Sequence, residues 1–323
     1  MDVMETIEKN RSGNMWSKPE KRALLMVNQS AGMGNAKDKI FELITELVKQ
    51  GFEVVTFPVI PDRGITSEQV ISEYRHRKFH IVACIGGDGT LNHVVNALMT
   101  VNDRKKAGVP VIYIPSGTTN DYAKTLGLSG DIQKLMQSVQ AANVYGLDVG
   151  DFGGKFFNYV AAFGAFTNVS YETPQDQKNM LGYLAYLFNG IISAPSSLQT
   201  RYHIKVTHEG ETEEGDYIFG AVSNATSVAG FKTPALAHAS LSDGVFEVML
   251  IKAPEDLQDV GEIFKAAMDG NYDNPYIHVF TAKEVHFDSS QDVSWTLDGE
   301  FGGMRKDVKV TVIPKAIKIY KEV

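Results

Sequence analysis

The sequence predicts an α/β protein in two parts, an N-terminal three-layer α/β domain on a parallel sheet and a C-terminal β-rich domain like an antiparallel β-sandwich, with a cleft between them. Three observations predict it. Strand-like and helix-like segments alternate from Ala23 to about Asp148, an order that covers both faces of a parallel sheet with helices. After Asp148 apolar and polar residues alternate singly, as in Tyr202, Ile204 and Val206 against Arg201, His203 and Lys205, the period of antiparallel strands with one wet face. At 323 residues the chain is roughly twice the usual single-domain length, with room for two cores. The expected divisions are a polar leader over 1–22, the α/β domain over 23–150 and the β-rich domain over 151–323, whose last residues pack back on the first domain.

In the first domain apolar runs predict strands at Ala23 to Asn28, Glu53 to Val59, Ile81 to Gly86 and Val109 to Pro115. Helices are predicted near Ala36 to Lys49, Thr66 to Arg77, Leu91 to Met99, Asn120 to Leu126 and Ile132 to Ala142. In the second domain strands are predicted at Tyr217 to Asn224, Val245 to Lys252, Ile277 to Phe287, Val293 to Leu297 and Val308 to Ile313. Two helices are expected there, near Leu181 to Ile192 and Glu255 to Met268. No internal repeat interrupts this pattern.

Composition removes several classes of function. Hydrophobic residues make up 43% of the chain, which excludes bulk disorder. The formal charge is −8, from 31 Lys and Arg against 39 Asp and Glu, so nucleic acid is not an expected partner. The apolar stretch Leu181 to Ala194 is too short to span a bilayer. One cysteine, Cys84, cannot form an internal disulfide, and the residues after Met1 lack a signal pattern; a cytoplasmic protein is expected. Cys84 itself reads as inert core.

The chemistry concentrates in loops that follow strands. Ile81 to Ile85 runs into Gly86, Gly87, Asp88, Gly89, Thr90, Leu91 and Asn92, where small residues let backbone N–H groups approach a phosphate at a helix start. Asp88 inside such a loop suits a hard cation joining carboxylate and phosphate, or it is an N-cap in a plain turn. Ser116, Gly117, Thr118, Thr119, Asn120 and Asp121 follow the fourth strand, and Asn28, Gln29, Ser30, Ala31, Gly32, Met33 and Gly34 follow the first. Three loops at equivalent ends of parallel strands suggest one nucleotide-sized crevice. Neither a Walker-type loop nor a complete dinucleotide fingerprint is present. Protein-kinase motifs and a nucleophile elbow are missing too.

Gly86 to Asn92, with Pro115 to Ala123, resembles the catalytic-domain motif of the diacylglycerol kinase family, specifically its soluble bacterial lipid kinases. The resemblance continues through Leu147 to Gly150, Val228 to Phe231, Leu241 to Gly244 and Leu297 to Glu300, and spans nearly the whole chain after Lys21. It implies a kinase that transfers the γ-phosphate of ATP to a lipid hydroxyl, diacylglycerol first, with a nucleotide cleft between the domains. Asn28 to Gly32, Gly86 to Asn92, Thr118 and Asn120 would hold ATP. Asp88, Asp121 and Asp148 would form an acidic network with Mg²⁺ and water, and Asp243 a structural Mg²⁺ site with the carbonyls of Ser240 and Val245. In Val293 to Leu297 odd positions are apolar, so Asp298 continues the polar face and is expected to look into the cleft. The family places the base in the Asp298 and Glu300 pair, and the reading favours Asp298, with Glu300 orienting or sharing the proton.

The first loop departs from the family's usual Asn-Pro-x-Ser-Gly, and His93 stands where a Glu is usual. Ala237 replaces a common proline, and no sugar-side threonine is evident near Val59 to Gly64. The expected substrate is taken from a membrane surface by transient peripheral contact, with Tyr183 to Ile192 as a candidate, and the resemblance is compatible with a homodimer. Other readings are a kinase for a sphingoid base or phosphatidylglycerol, an NAD kinase, and a nucleotide-sensing regulator on the same fold.

Overall fold

The computed structural model describes residues 19–28, 36–102, 107–117, 120–164, 201–224, 240–269 and 274–322. The parallel strands are β1 (Lys21–Asn28), β2 (Phe52–Val59), β3 (Ile81–Gly86) and β4 (Val111–Pro115), in the order β2-β1-β3-β4. Between and after them come α1 (Ala36–Lys49), α2 (Ser67–Glu73), α3 (Asp88–Val101), α4 (Asp121–Leu126) and α5 (Ile132–Gln140). Alternation along β1 sends Leu24 and Met26 to one face and Ala23 and Leu25 to the other. Leu91, Val94 and Val95 of α3 cover the first face, and Leu43, Leu47 and Leu135 of α1 and α5 cover the second. The result is three layers.

Local signals fix the helix ends. Thr66 caps α2 by accepting from Gln69 N at 3.2 Å, and Asp131 caps α5 by accepting from Lys134 N at 3.1 Å, each satisfying an orphan donor. α4 stops at Gly127, in the left-handed region at φ 71°. α2 ends at Glu73, short of the expected Arg77, where the apolar spacing gives way to Arg75, His76, Arg77 and Lys78. α3 begins at Asp88, three residues earlier than its apolar spacing suggests.

The second half contains β5 (Val144–Phe152), β6 (Lys155–Phe157), β7 (Val160–Gly164), β8 (Tyr202–His208), β9 (Glu211–Ser223), β10 (Phe246–Lys252), α6 (Leu257–Asp269), β11 (Ile277–Ala282), β12 (Glu284–Leu297) and β13 (Glu300–Tyr320). Their spine runs β11-β10-β9-β7-β12-β13, with β8 on β9 and β12 and β5 on β13 and β6. Trp295 centres the core, its ring 5.0 Å from Phe152, 4.8 Å from Phe163 and 5.1 Å from Phe287. β13 joins the halves: it pairs antiparallel with β12 and β5, and Ile319 pairs parallel with Val111 of β4.

Several strands differ from the sequence expectation. The run Ile277 to Phe287 is broken at Lys283 into β11 and β12. β12 then continues through the polar stretch Ser289 to Asp292, with a register shift between Asp288 and Val293. β13 extends far beyond Val308 to Ile313 because a second shift, between Ile313 and Ile317, absorbs Pro314, which has no N–H to give a ladder. Bulges of this kind invert the period-2 pattern and hide continuity. Among the described residues no helix is long and apolar enough to cross a membrane. The helix expected at Leu181 to Ile192 lies outside the described residues.

Candidate active site

The strand order places the site. The chain leaves β1 for β2 on one side and crosses to β3 on the other, so the carboxyl ends of β1 and β3 flank a switch point, where open α/β sheets bind ligands. Asn28 ends β1 and reaches across, its Nδ2 donating to Thr90 Oγ1 at 3.0 Å. Gly86 ends β3, and a Cβ there would lie 2.3 Å from Thr90 Oγ1. Only glycine lets this helix turn so tightly off the strand.

The loop after β4 closes on the loop after β3. Ser116 N donates to Gly86 O at 2.8 Å, and a Cβ on Gly117 would meet Gly87 Cα at 2.6 Å. Asn120, at φ 48°, clamps this loop by accepting from Gly117 N and donating to Gly117 O. Asp88 is the first residue of α3; the N-cap is Gly87, whose position makes no side-chain cap. The Asp88 carboxylate accepts from Tyr113 OH at 3.0 Å and from Tyr122 N at 3.4 Å. Asp121 opens α4 beside it, with its side chain outside what the structure describes; Gln29, Ser30, Ala31, Gly32 and Thr118 also lie outside the described residues.

Two buried polar atoms here, Ser116 Oγ and Tyr122 OH, have no hydrogen-bond partner among the described residues. Tyr122 is 2% exposed. Burial, with the negative charges of Asp298, Asp88 and Asp148, pushes its phenol far above its ordinary range. A buried hydroxyl without a partner costs free energy unless water or a ligand satisfies it. Carboxylate oxygens and a free hydroxyl form an all-oxygen donor set, the kind that suits a hydrated hard cation such as Mg²⁺. Among the described residues no three His, Cys, Asp or Glu side chains converge to cage a metal unaided, so a cation here would need oxygens from its ligand as well.

Asp148 sits elsewhere in this scheme. It is fully buried, and its oxygens accept from Gly244 N at 2.6 Å and Lys315 N at 2.7 Å. Burial raises its carboxyl above the ordinary value, opposed by those two donors. It holds the kink that Pro314 makes in β13 against the turn at residues 243–244. In that turn Asp243 accepts from Ser240 N at 3.1 Å and Val245 N at 3.2 Å.

The Asp298 and Glu300 pair arises from a tight hairpin. Leu297 pairs with Glu300, and Asp298 and Gly299 between them have φ of 50° and 87°, as a two-residue primed turn requires. The expectation that Asp298 looks into the cleft is corrected here. Its carboxylate accepts from Asn158 N at 2.7 Å, Tyr159 N at 2.8 Å, Val160 N at 2.9 Å and Asn92 Nδ2 at 2.7 Å. Burial raises its carboxyl while these N–H groups hold it down. Asn92 is in turn linked to Asn96, which pairs with the backbone of Phe156. Glu300 is exposed, no hydrogen bond from a described residue occupies it, and a Cβ on Gly89 would lie 3.5 Å from its Oε1. An acid of the second half therefore stands at the edge of the glycine-rich loop of the first.

His93 is one helical turn past Gly89 and bonds Glu68 of α2 through Nδ1 at 2.7 Å. That bond raises the imidazole above its ordinary value against a smaller desolvation, and the charge of Glu300 adds to the rise. Motif reading missed Asn96, Asn158, Tyr113 and Glu68. The i,i+4 pair Asn92 and Asn96 within the apolar stretch Leu91 to Met99 was the available signal.

Residues 22–152 match the model of the diacylglycerol kinase catalytic domain, and residues 163–321 match that of the YegS C-terminal NAD kinase beta sandwich-like domain. A diacylglycerol kinase of Bacillus subtilis (strain 168) is 32% identical over 286 residues, covering 88% of this chain and 91% of that protein. One from Staphylococcus aureus (strain bovine RF122 / ET3-1) is 29% identical, covering 88% and 87%. The crystal structure of a diacylglycerol kinase from Bacillus anthracis str. Sterne superposes with a TM-score of 0.66 at 18% identity, covering 95% of this chain and 98% of that one, a likeness of fold.

Proposed function

This chain belongs to the diacylglycerol kinase family, and from that premise we propose that it transfers the γ-phosphoryl group of ATP to a lipid hydroxyl, with diacylglycerol as acceptor and phosphatidic acid as product. The observation that carries the reading is Glu300, an exposed acid beside Gly89 at the edge of the glycine-rich loop that takes no hydrogen bond from a described residue. Phosphoryl transfer asks a protein to position donor and acceptor in line, to balance phosphate charge and to accept the nucleophile's proton.

In this reading Asn28 to Gly32, Gly86 to Asn92, Thr118 and Asn120 bind the ATP phosphates, largely through backbone N–H groups. Asp88 and Asp121 would hold Mg²⁺, and Asp243 with the carbonyls of Ser240 and Val245 would form a separate structural site. When bound, Mg²⁺ supplies charge neutralisation on the transferring phosphate. Glu300 takes the proton of the acceptor hydroxyl. Asp298 is a positioning residue: its carboxylate, engaged by five N–H donors, fixes the hairpin that carries Glu300 and ties it through Asn92 to the helix of the glycine loop. The protein acts as a cytoplasmic enzyme at a membrane surface.

The test is transfer of labelled γ-phosphate from Mg²⁺-ATP to diacylglycerol, a sphingoid base and phosphatidylglycerol in mixed micelles, and to NAD in solution. Label in phosphatidic acid is the expected result. Label confined to another acceptor would replace the substrate, and binding of ATP without any transfer would replace the reaction.

A further inference from the structure

We propose that His93 is a positioning residue for Glu300: its protonated ring, fixed by Glu68, holds the Glu300 carboxylate over the first turn of α3. The proposal rests on the lipid-kinase reading and adds to its site a residue that the phosphate loops do not use.

Glu300 has a fixed backbone and a loose side chain. Leu297 pairs with Glu300 and Thr296 with Phe301, before Gly302 enters as an extra residue and Gly303 meets Trp295. The side chain of Glu300 is exposed and takes no hydrogen bond from a described residue, yet its Oε1 stands 3.5 Å from where a Cβ on Gly89 would lie. An acid at that place meets the negative charge of a triphosphate in the glycine loop, which pushes it away. A cation on its far side opposes that push, and His93 supplies one. Residues 89 and 93 are four apart on α3 and share one face. Helical side chains lean toward the N-terminus of their helix, which carries the His93 ring back toward Gly89 and Glu300. The Glu68 bond raises the imidazole above its ordinary value, and the charge of Glu300 reaches far enough to add to the rise.

Glu68 decides what the ring can do. It bonds Nδ1 at 2.7 Å; an ionised carboxylate only accepts, so Nδ1 carries a proton in both states of the ring. Nε2 is then the nitrogen that responds to pH. It holds a lone pair in the neutral ring and an N–H in the imidazolium, so one state repels Glu300 and the other attracts it, directly or through a water. Other charged groups on α3 and on the elements packed against it are engaged elsewhere. Asp88 accepts from Tyr113 OH at 3.0 Å, Lys155 of β6 donates to Gly302 O at 3.1 Å, and Arg305 of β13 donates to Met304 O at 3.0 Å. Neither Glu73 of α2 nor Lys124 of α4 acts on His93.

Two measurements on the full chain test the pairing. The first is an NMR titration of the His93 ring in wild type, Glu300→Gln and Glu68→Gln, with His93→Gln identifying its signal. The folded value is expected to fall in both variants, further in Glu68→Gln, whose bond is the larger cause of the rise. The second is kcat for γ-phosphate transfer from Mg²⁺-ATP to diacylglycerol against pH. Wild type is expected to lose about five-fold as pH rises through the His93 value, the scale of one exposed charge pair, with the KM for ATP held. His93→Gln should run at the lower rate without that fall, and His93→Lys, which keeps the charge throughout, at the higher one. A fall shared equally by wild type and His93→Gln would overturn the proposal, as would a His93 titration unmoved by Glu300→Gln. A titration that responds to Glu300→Gln in a chain that transfers phosphate to no acceptor would leave the pairing standing and refute the kinase reading instead.

Discussion

Asp298 shows how far a carboxylate can be committed to structure while sitting two residues from the proposed base. It accepts four short N–H bonds, three from consecutive backbone amides of residues 158–160. Replacing it by alanine leaves those donors without a partner in a part-buried site. The expected loss is about 2–4 kcal/mol in chemical denaturation, against less than about 0.5 kcal/mol for Glu300→Gln on the surface. The His93 and Glu68 pair makes a smaller, pH-dependent contribution. The imidazole is raised from 6.5, so its share is full below that pH and fades as pH rises through the folded value. Burial alone would raise Glu68, but the bonds from His93 and its own backbone leave it below 4.5, so its share fades only as pH falls through that lowered value. Both side chains are about half exposed, which limits the pair to about 0.5 kcal/mol. Glu68→Gln should therefore reduce stability near pH 5.5 and change nothing well above the raised His93 value; an equal effect at both would contradict the pairing.

At the scale of elements the site depends on two loops that touch through glycines. Gly117→Ala would drive a methyl to 2.6 Å from Gly87 Cα, separating the loops by a large fraction of an ångström. The expected result is a drop on the order of a hundred-fold in kcat/KM with an unchanged circular dichroism spectrum; normal activity would mean that the loops do not act together. The glycine loops were legible because strand, glycines and helix follow one another in ten residues. The engagement of Asp298 was not, since alternation along Val293 to Leu297 gives its face but cannot reveal the amides of residues 158–160 that bond it. β13 was only partly legible. Pro314 and the extra Gly302 each shift the phase of the pattern, so one strand of 21 residues reads as a short fragment amid loops.

For the whole molecule, β13 is the strand that joins the two halves in one sheet. It begins with Glu300 beside the glycine loop, bends at Pro314 where Asp148 receives Lys315 N, and ends with Ile319 on β4. The three-layer half and the β-rich half were both foreseen from period alone; their continuity through one sheet was not, because pairing between residues some two hundred apart leaves no local trace. In the proposed mechanism this arrangement presents Glu300, rather than Asp298, to the acceptor hydroxyl. The most direct test measures γ-phosphate transfer to diacylglycerol and ATP affinity together in wild type and Glu300→Gln. The expected result is a loss of kcat of a hundred-fold or more, on the order of 10²–10⁴ for a missing base, with ATP affinity and melting temperature held. A Glu300→Gln protein that turns over at the wild-type rate would contradict it.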